Sequence, residues 1–169
     1  MDDQLPISPQ IQPNEYWCWA AVTSMVTAYY GRVGKPLLSQ CQVAASTLNL
    51  PDCCNSDPPP ASCLQLWDLS DALQRIGYNA QTSWNSDITV PANEIAAKRV
   101  LAALMYYKNS GVLHYVLVNG CNDTPGQESV YVTDPAGPVG EVPWNTFLYN
   151  YSYHPDDPAK WKQWILIQA

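Results

Sequence analysis

Basic residues are scarce in this sequence. Eight Lys and Arg stand against fifteen Asp and Glu, for a formal charge of −7. A nucleic-acid groove needs a stripe of Lys and Arg to neutralise phosphates, so nucleic acid is excluded as a partner. The acidic balance leaves room for basic partners or basic substrate segments. No apolar run approaches the roughly 20 residues that a bilayer-crossing helix needs, so no membrane partner is expected. Phenylalanine occurs once, against seven Trp and eleven Tyr. Core and clefts must therefore be built from larger rings with a polar edge. Histidine occurs only at His114 and His154, so any imidazole base is one of these two. Met1-Asp2-Asp3 lacks the basic and apolar regions of an export signal. The expectation is a mature or excised domain with its export segment upstream.

The 169 residues suit one domain spanning 1–169, with 1–11 as an extended lead-in carrying Pro6 and Pro9. Six cysteines are many for a chain of this size. Cys41, Cys53, Cys54 and Cys63 cluster, which reads as disulfides and an oxidising compartment. Cys53 and Cys54 are adjacent and rarely bond each other, so each pairs with Cys41 or Cys63. Zinc is disfavoured, because the cluster has no C-x-x-C spacing and no nearby His. Cys18 and Cys121 stand apart. Cys121 reads as a buried thiol at a strand end.

Apolar positions after Cys18 recur at helical spacing through Val22, Met25, Val26 and Tyr29, and Gly31 is the expected C-cap. Cys18 therefore opens a buried helix. Ser39 with Gln42 is a capping-box pattern, predicting a second helix to about Leu48. Leu66, Leu69, Leu73 and Ile76 predict a third, stopped by Gly77. Val100–Tyr107 is apolar throughout and reads either as a helix continuing from Asn93 or as a buried strand. His114–Val118, Val130–Thr133 and Trp161–Ile167 read as strands. Helices first and strands after predict an α+β class with segregated layers.

A thiol attacks as thiolate, and a helix N-terminus with a neighbouring imidazolium lowers its pKa by several units. Cys18 has the helix position. His154 falls in the polar turn Tyr153-His154-Pro155-Asp156, whereas His114 opens an apolar strand. Asp134 lies twenty residues on, at the end of the next strand, where adjacent strands would set it beside the imidazole. Gln12, six residues before Cys18, can supply an oxyanion-binding amide alongside the Cys18 N–H. Gln10 competes with Gln12 and differs only in spacing. Asn119, Asn122 and Asp123 compete with Asp134. Trp144, Trp161 and Trp164 are expected in the core. For Tyr106, Tyr107 and the cluster from Tyr149 to Tyr153, packing ranks ahead of cleft lining.

Gln12 and the helix-opening run Cys18-Trp19-Ala20-Ala21 resemble the nucleophile region of papain-like cysteine peptidases, above all the compact bacterial branches: double-glycine leader peptidases and secreted effector proteases. His114-Tyr-Val-Leu-Val-Asn-Gly120 followed by Val130-Tyr-Val-Thr-Asp134-Pro135 is similar to that family's strand pair. The clustered cysteines resemble the Cys-rich insert of some secreted members. The resemblance spans about residues 5–167 and implies a papain-like fold. In it, a helical subdomain led by the Cys18 helix packs on a strongly bent antiparallel sheet. Cys18 is then the nucleophile, His114 the base, Asp134 its orienting partner and Gln12 the oxyanion donor. No metal or organic cofactor is implied.

The expected substrate is a protein or peptide. The expected setting is an exported bacterial effector or toxin acting in another cell, with a cognate inhibitor or immunity protein as a possible partner. Two other readings share these residues. One is a different thiol enzyme: a cell-wall amidase, a deamidase or a transglutaminase-like enzyme. The other is an inert disulfide-stapled binding module.

Overall fold

A computed structural model describes residues 3–31, 36–137, 139–152 and 156–169. His154 and its expected turn lie outside the described residues. The first helix, α1 (Cys18–Tyr30), is buried almost all round, from Cys18 through Thr27 and again at Tyr30. A helix buried on every side lies inside a fold rather than on its surface. Ser24 and Thr27, polar and buried in its interior, find partners close by. Ser24 Oγ lies 2.7 Å from the Leu38 carbonyl oxygen and 2.9 Å from Gln10 Oε1. Thr27 Oγ1 lies 2.9 Å from the Ser24 carbonyl oxygen. Gly31 is the C-cap as expected, but at φ −58° it is right-handed, so the left-handed cap usual for glycine does not form.

The capping box at Ser39 and Gln42 is present and opens α2 (Gln40–Leu48), which ends on Asn49 at φ 57°. Short 3-10 turns at Pro51–Cys54 and Ala61–Cys63 follow. Two disulfides, Cys41–Cys54 and Cys53–Cys63, tie them together. The third helix, α3 (Leu69–Arg75), begins later than the spacing predicts, because Asp68 caps it by accepting the Asp71 N–H at 2.9 Å. Leu66 is therefore not helical but stands on an exposed segment, 63% accessible.

Seven strands form one antiparallel sheet: β1 (Asp3–Gln4), β2 (Asn79–Ser83), β3 (Leu101–Tyr107), β4 (Leu113–Asn122), β5 (Ser129–Thr133), β6 (Val139–Pro143) and β7 (Ala159–Gln168). The order is β2-β7-β3-β4-β5-β6, with β1 paired to the far end of β4 through Gln4 and Gly120. The ambiguous segment Val100–Tyr107 thus resolves as strand. The helix before it, α4 (Thr89–Ala96), ends short of it, and Lys98 at φ 58° turns the chain. Register shifts between Leu104 and Met105, and between Val118 and Gly120, bend the strands of this α+β fold. A last short helix, α5 (Trp144–Tyr149), packs on β7 and β5. Trp164 is fully buried there, stacked on Phe147 at 5.5 Å and on Trp144 at 6.2 Å. The core is one hydrophobic cluster running from α1 into the sheet, and α1 lies against β4. That contact brings the Cys18 end of the helix to the His114 end of the strand.

Candidate active site

Cys18 is the first residue of α1 and is 3% exposed. The first turn of this thirteen-residue helix carries no acidic residue, so the partial positive charge of its N-terminus is not neutralised there. Both chain neighbours of Cys18 are anchored to the disulfide-held loop. The Trp17 indole N–H donates to the Cys63 carbonyl at 2.8 Å, and that of Trp19 to the Gln65 carbonyl at 2.9 Å. The buried Cys53–Cys63 bridge thus holds the segment leading to Leu66 and Trp67 against the helix.

His114 is the second residue of β4 and is 6% exposed. Its Nε2 lies 2.6 Å from Asp134 Oδ1, just beyond the end of β5. Asp134 is 1% exposed and accepts two further hydrogen bonds. The Ala136 N–H donates to Oδ1 at 2.8 Å and the Tyr151 hydroxyl to Oδ2 at 2.6 Å. With Nε2 on Asp134, Nδ1 is the ring nitrogen left for the Cys18 thiol.

The electrostatics agree between the partners. Burial alone lowers the His114 pKa, but the Asp134 hydrogen bond, then that of Cys18, then their charges push it up to about 10. Burial alone raises the Asp134 pKa, but the His114 hydrogen bond and charge, then Tyr151 and Ala136, hold it below the ordinary carboxylate value. Burial and the adjacent carboxylate push the Tyr151 hydroxyl far above its ordinary range, so it stays a donor. The arrangement favours an imidazolium over a carboxylate, facing a thiol on a helix N-terminus.

Gln12 sits on the lead-in, and its backbone N–H donates to the Pro135 carbonyl at 2.8 Å. That bond ties the Gln12 segment to the turn carrying Asp134. Gln12 Nε2 donates one hydrogen to the Asn14 carbonyl at 2.8 Å, leaving the other for a ligand. Gln12, Tyr107, His114 and Ala136 line a hollow of about 240 Å³. Cys18 lines a second, of about 300 Å³, with Trp19, Leu66, Trp67, Asp68, Leu113 and Tyr115. Cys18 and His114 therefore each line one of two recesses.

Gln10, Asn119 and Asn122, three of the competing residues, are used elsewhere. Gln10 meets Ser24 on α1. Buried Asn119 donates from Nδ2 to the Leu5 carbonyl at 2.8 Å and accepts from Thr133 Oγ1 at 3.2 Å, so it fastens the lead-in to the sheet. Asn122 Oδ1 accepts the Thr124 N–H in the β4–β5 turn. Cys121 is a free, buried strand thiol, its pKa pushed up to about 12 chiefly by burial. Of the tyrosines ranked as packing, Tyr107 lies with its ring centre 6.2 Å from that of His114, and Tyr151 holds Asp134. No local pattern marks Tyr151. Its one sequence signal is membership of the Tyr149–Tyr153 cluster.

No curated protein matches the chain. Among solved structures, a double glycine motif protease from an AMS/PCAT transporter, in complex with its leader peptide, aligns over 100% of this chain and 99% of its own at 18% identity, with a TM-score of 0.52. A C39-like peptidase from Bacillus anthracis aligns over 100% and 98% at 12% identity, with a TM-score of 0.56. Procathepsin L2 from the Tenebrio molitor larval midgut aligns over 96% of this chain at 12% identity, with a TM-score of 0.55; this chain spans 65% of its length. These likenesses establish a papain-like fold. The profile described as Peptidase_C39 like family matches residues 4–155. With nearly its whole length matched, the chain belongs to the Peptidase_C39 like family and is a papain-like cysteine peptidase.

Proposed function

We propose that this chain hydrolyses peptide bonds of a protein or peptide substrate, with Cys18 as nucleophile, His114 as acid and base, Asp134 as its orienting partner and Gln12 as oxyanion donor. The observation that carries this reading is the buried 2.6 Å contact between His114 and Asp134, facing Cys18 at a helix N-terminus. The Cys18 thiolate adds to the scissile carbonyl carbon. The oxyanion takes hydrogen bonds from the free Gln12 amide hydrogen and the Cys18 N–H. His114 then gives its proton to the departing amine, and the C–N bond breaks to leave a thioester on Cys18. Water, losing its proton to His114, cleaves that thioester, releasing the acid and restoring the thiolate–imidazolium pair. The neighbour solved with a leader peptide supports a peptide as substrate.

Two bridges within 23 residues, Cys41 to Cys63, suit an oxidising compartment and so support a setting outside the cytoplasm. We infer that in this setting the domain is an exported effector or toxin that cleaves a target-cell protein. Such an enzyme calls for a cognate inhibitor in the producing cell.

Site-resolved iodoacetamide labelling of Cys18 from pH 4 to 9, with His114→Ala alongside, tests the chemistry. Fast labelling well below the free-thiol pKa of about 8.5, lost in His114→Ala, is expected. Labelling only near the free-thiol pKa would overturn it. Product mass separates hydrolysis of a peptide bond from a deamidation shift or a released cell-wall fragment. Protease-dependent toxicity lost in Cys18→Ala is expected of an effector, and undiminished toxicity in that variant would sink that role.

A further inference from the structure

We propose that the recess beside Cys18 is a subsite for a lysine or arginine side chain, read by Asp68, on one of the two residues preceding the scissile bond. The inference rests on the peptidase reading and adds the substrate class. Chemistry assigns the two recesses. His114 protonates the departing amine, so the leaving chain crosses the recess lined by His114 and Gln12. The acyl chain stays on the thiol and crosses the recess lined by Cys18.

The lining of that recess suits a long amphipathic side chain. Leu66 and Leu113, 63% and 42% exposed, and the half-buried Trp67 form apolar walls that would pack an aliphatic stem. A glycine would leave most of the 300 Å³ unfilled. Among the described residues, the one charged residue lining it is the exposed Asp68, and no Lys or Arg lines it. Asp68 Oδ1 accepts the Asp71 N–H at 2.9 Å, and Oδ2 lies 3.4 Å from the Tyr115 hydroxyl. Neither partner carries a positive charge, so the carboxylate keeps its own for a ligand. Burial first, then the charges of Asp68 and Cys18, push the Tyr115 hydroxyl up, so it stays protonated beside Asp68. Arg75 stands 5.5 Å over the Trp67 ring of the wall but is bound to Asp71 at 2.7 Å. Across the scissile position, Glu15 and Asp157 line the other recess, so both ends of the cleft are acidic.

Peptidyl-aminocoumarin substrates fix the scissile bond and allow the two acyl-side residues to be varied among Arg, Lys, norleucine, Glu and Gly. We expect wild type to prefer Arg or Lys over norleucine by about fivefold in kcat/KM, and less at high salt. Asp68→Asn should reduce that ratio to near one while leaving norleucine turnover in place. Asparagine caps a helix as well as aspartate does, so α3 keeps its start. Equal turnover of norleucine, a preference for Gly, or a basic preference unchanged in Asp68→Asn would overturn the inference. If no substrate is turned over, fluorescein-labelled peptides of the same sequences are titrated against Cys18→Ala and its Asp68→Asn double variant. Charge-selective binding that depends on Asp68 would then uphold the subsite while the hydrolytic reading fails. Charge-blind binding, or none, would overturn the subsite.

Discussion

On the helix side of the cleft, Cys18 is set among Trp17, Trp19, Ala20 and Ala21, each at most 1% exposed, and is placed by packing. On the sheet side, His114 is placed by a chain of directed bonds through Asp134 to Ala136 and Tyr151. Packing fixes a backbone position and tolerates small changes in shape. A buried polar chain fixes a protonation state and tolerates little, because each lost partner leaves a charged or polar group uncompensated. The location of Cys18 and the charge of His114 are thus secured by different forces. Variants on the two sides should fail differently.

The largest effect is expected from Cys18→Ala, which should lower kcat/KM by about 10⁴-fold or more with an unchanged circular dichroism spectrum. Residual cleavage near wild type would mean another group attacks. Next comes Asp134→Asn, which keeps the shape of the pair and removes its charge. We expect a loss of about 10³- to 10⁴-fold. The His114 pKa, held up to about 10 in wild type, should fall, moving the alkaline limb of the pH–rate profile to lower pH. An alkaline limb that does not move would show that Asp134 does not set the imidazole charge.

Breaking the helix side instead should cost stability. Cys53→Ser with Cys63→Ser opens a short loop, and urea unfolding should register about 2–4 kcal/mol. Tyr151→Phe removes one donor from a buried carboxylate and should cost about 1–3 kcal/mol, together with a shift in the pH–rate profile that a purely packing role would not produce. The last effect is on the pH dependence of folding. His114 is raised from 6.5 to about 10 on folding, so its contribution is full below pH 6.5 and fades as pH rises through about 10. Asp134 is lowered, so its contribution is lost only as pH falls through its folded value. Thermal melts should therefore show wild type losing more stability than His114→Ala between pH 7 and above pH 10. Parallel curves would contradict the shift.

Parts of this architecture are legible in the sequence alone. The start of α1 at Cys18 follows from local spacing, and the α2 capping box from Ser39 and Gln42 alone. The separation of β4 from β5 placed Asp134 near His114 because neighbouring strands in sequence commonly pair. The strands β2 and β6 and the helix α5 carried no comparable signal. They are short, and their faces make sense only against β7, β5 and one another. The spacing predicts too early a start for α3 because Leu66 continues the helical pattern, whereas the Asp68 cap decides where hydrogen bonding begins.

By itself the sequence determined what the chain could do chemically: one helix-opening cysteine, one strand-borne histidine, an acidic surface and four clustered cysteines. These are local properties, set by spacing and composition. Only the tertiary structure decided that Cys53 bonds Cys63 and Cys54 bonds Cys41, and that Asn119 fastens the lead-in rather than the imidazole. It alone brought Tyr151 to Asp134, and the Trp17 and Trp19 indoles to the carbonyls of Cys63 and Gln65. Each of the two indole contacts joins residues 46 positions apart. At such separations the partner is chosen by which elements pack together, and no local pattern encodes that choice.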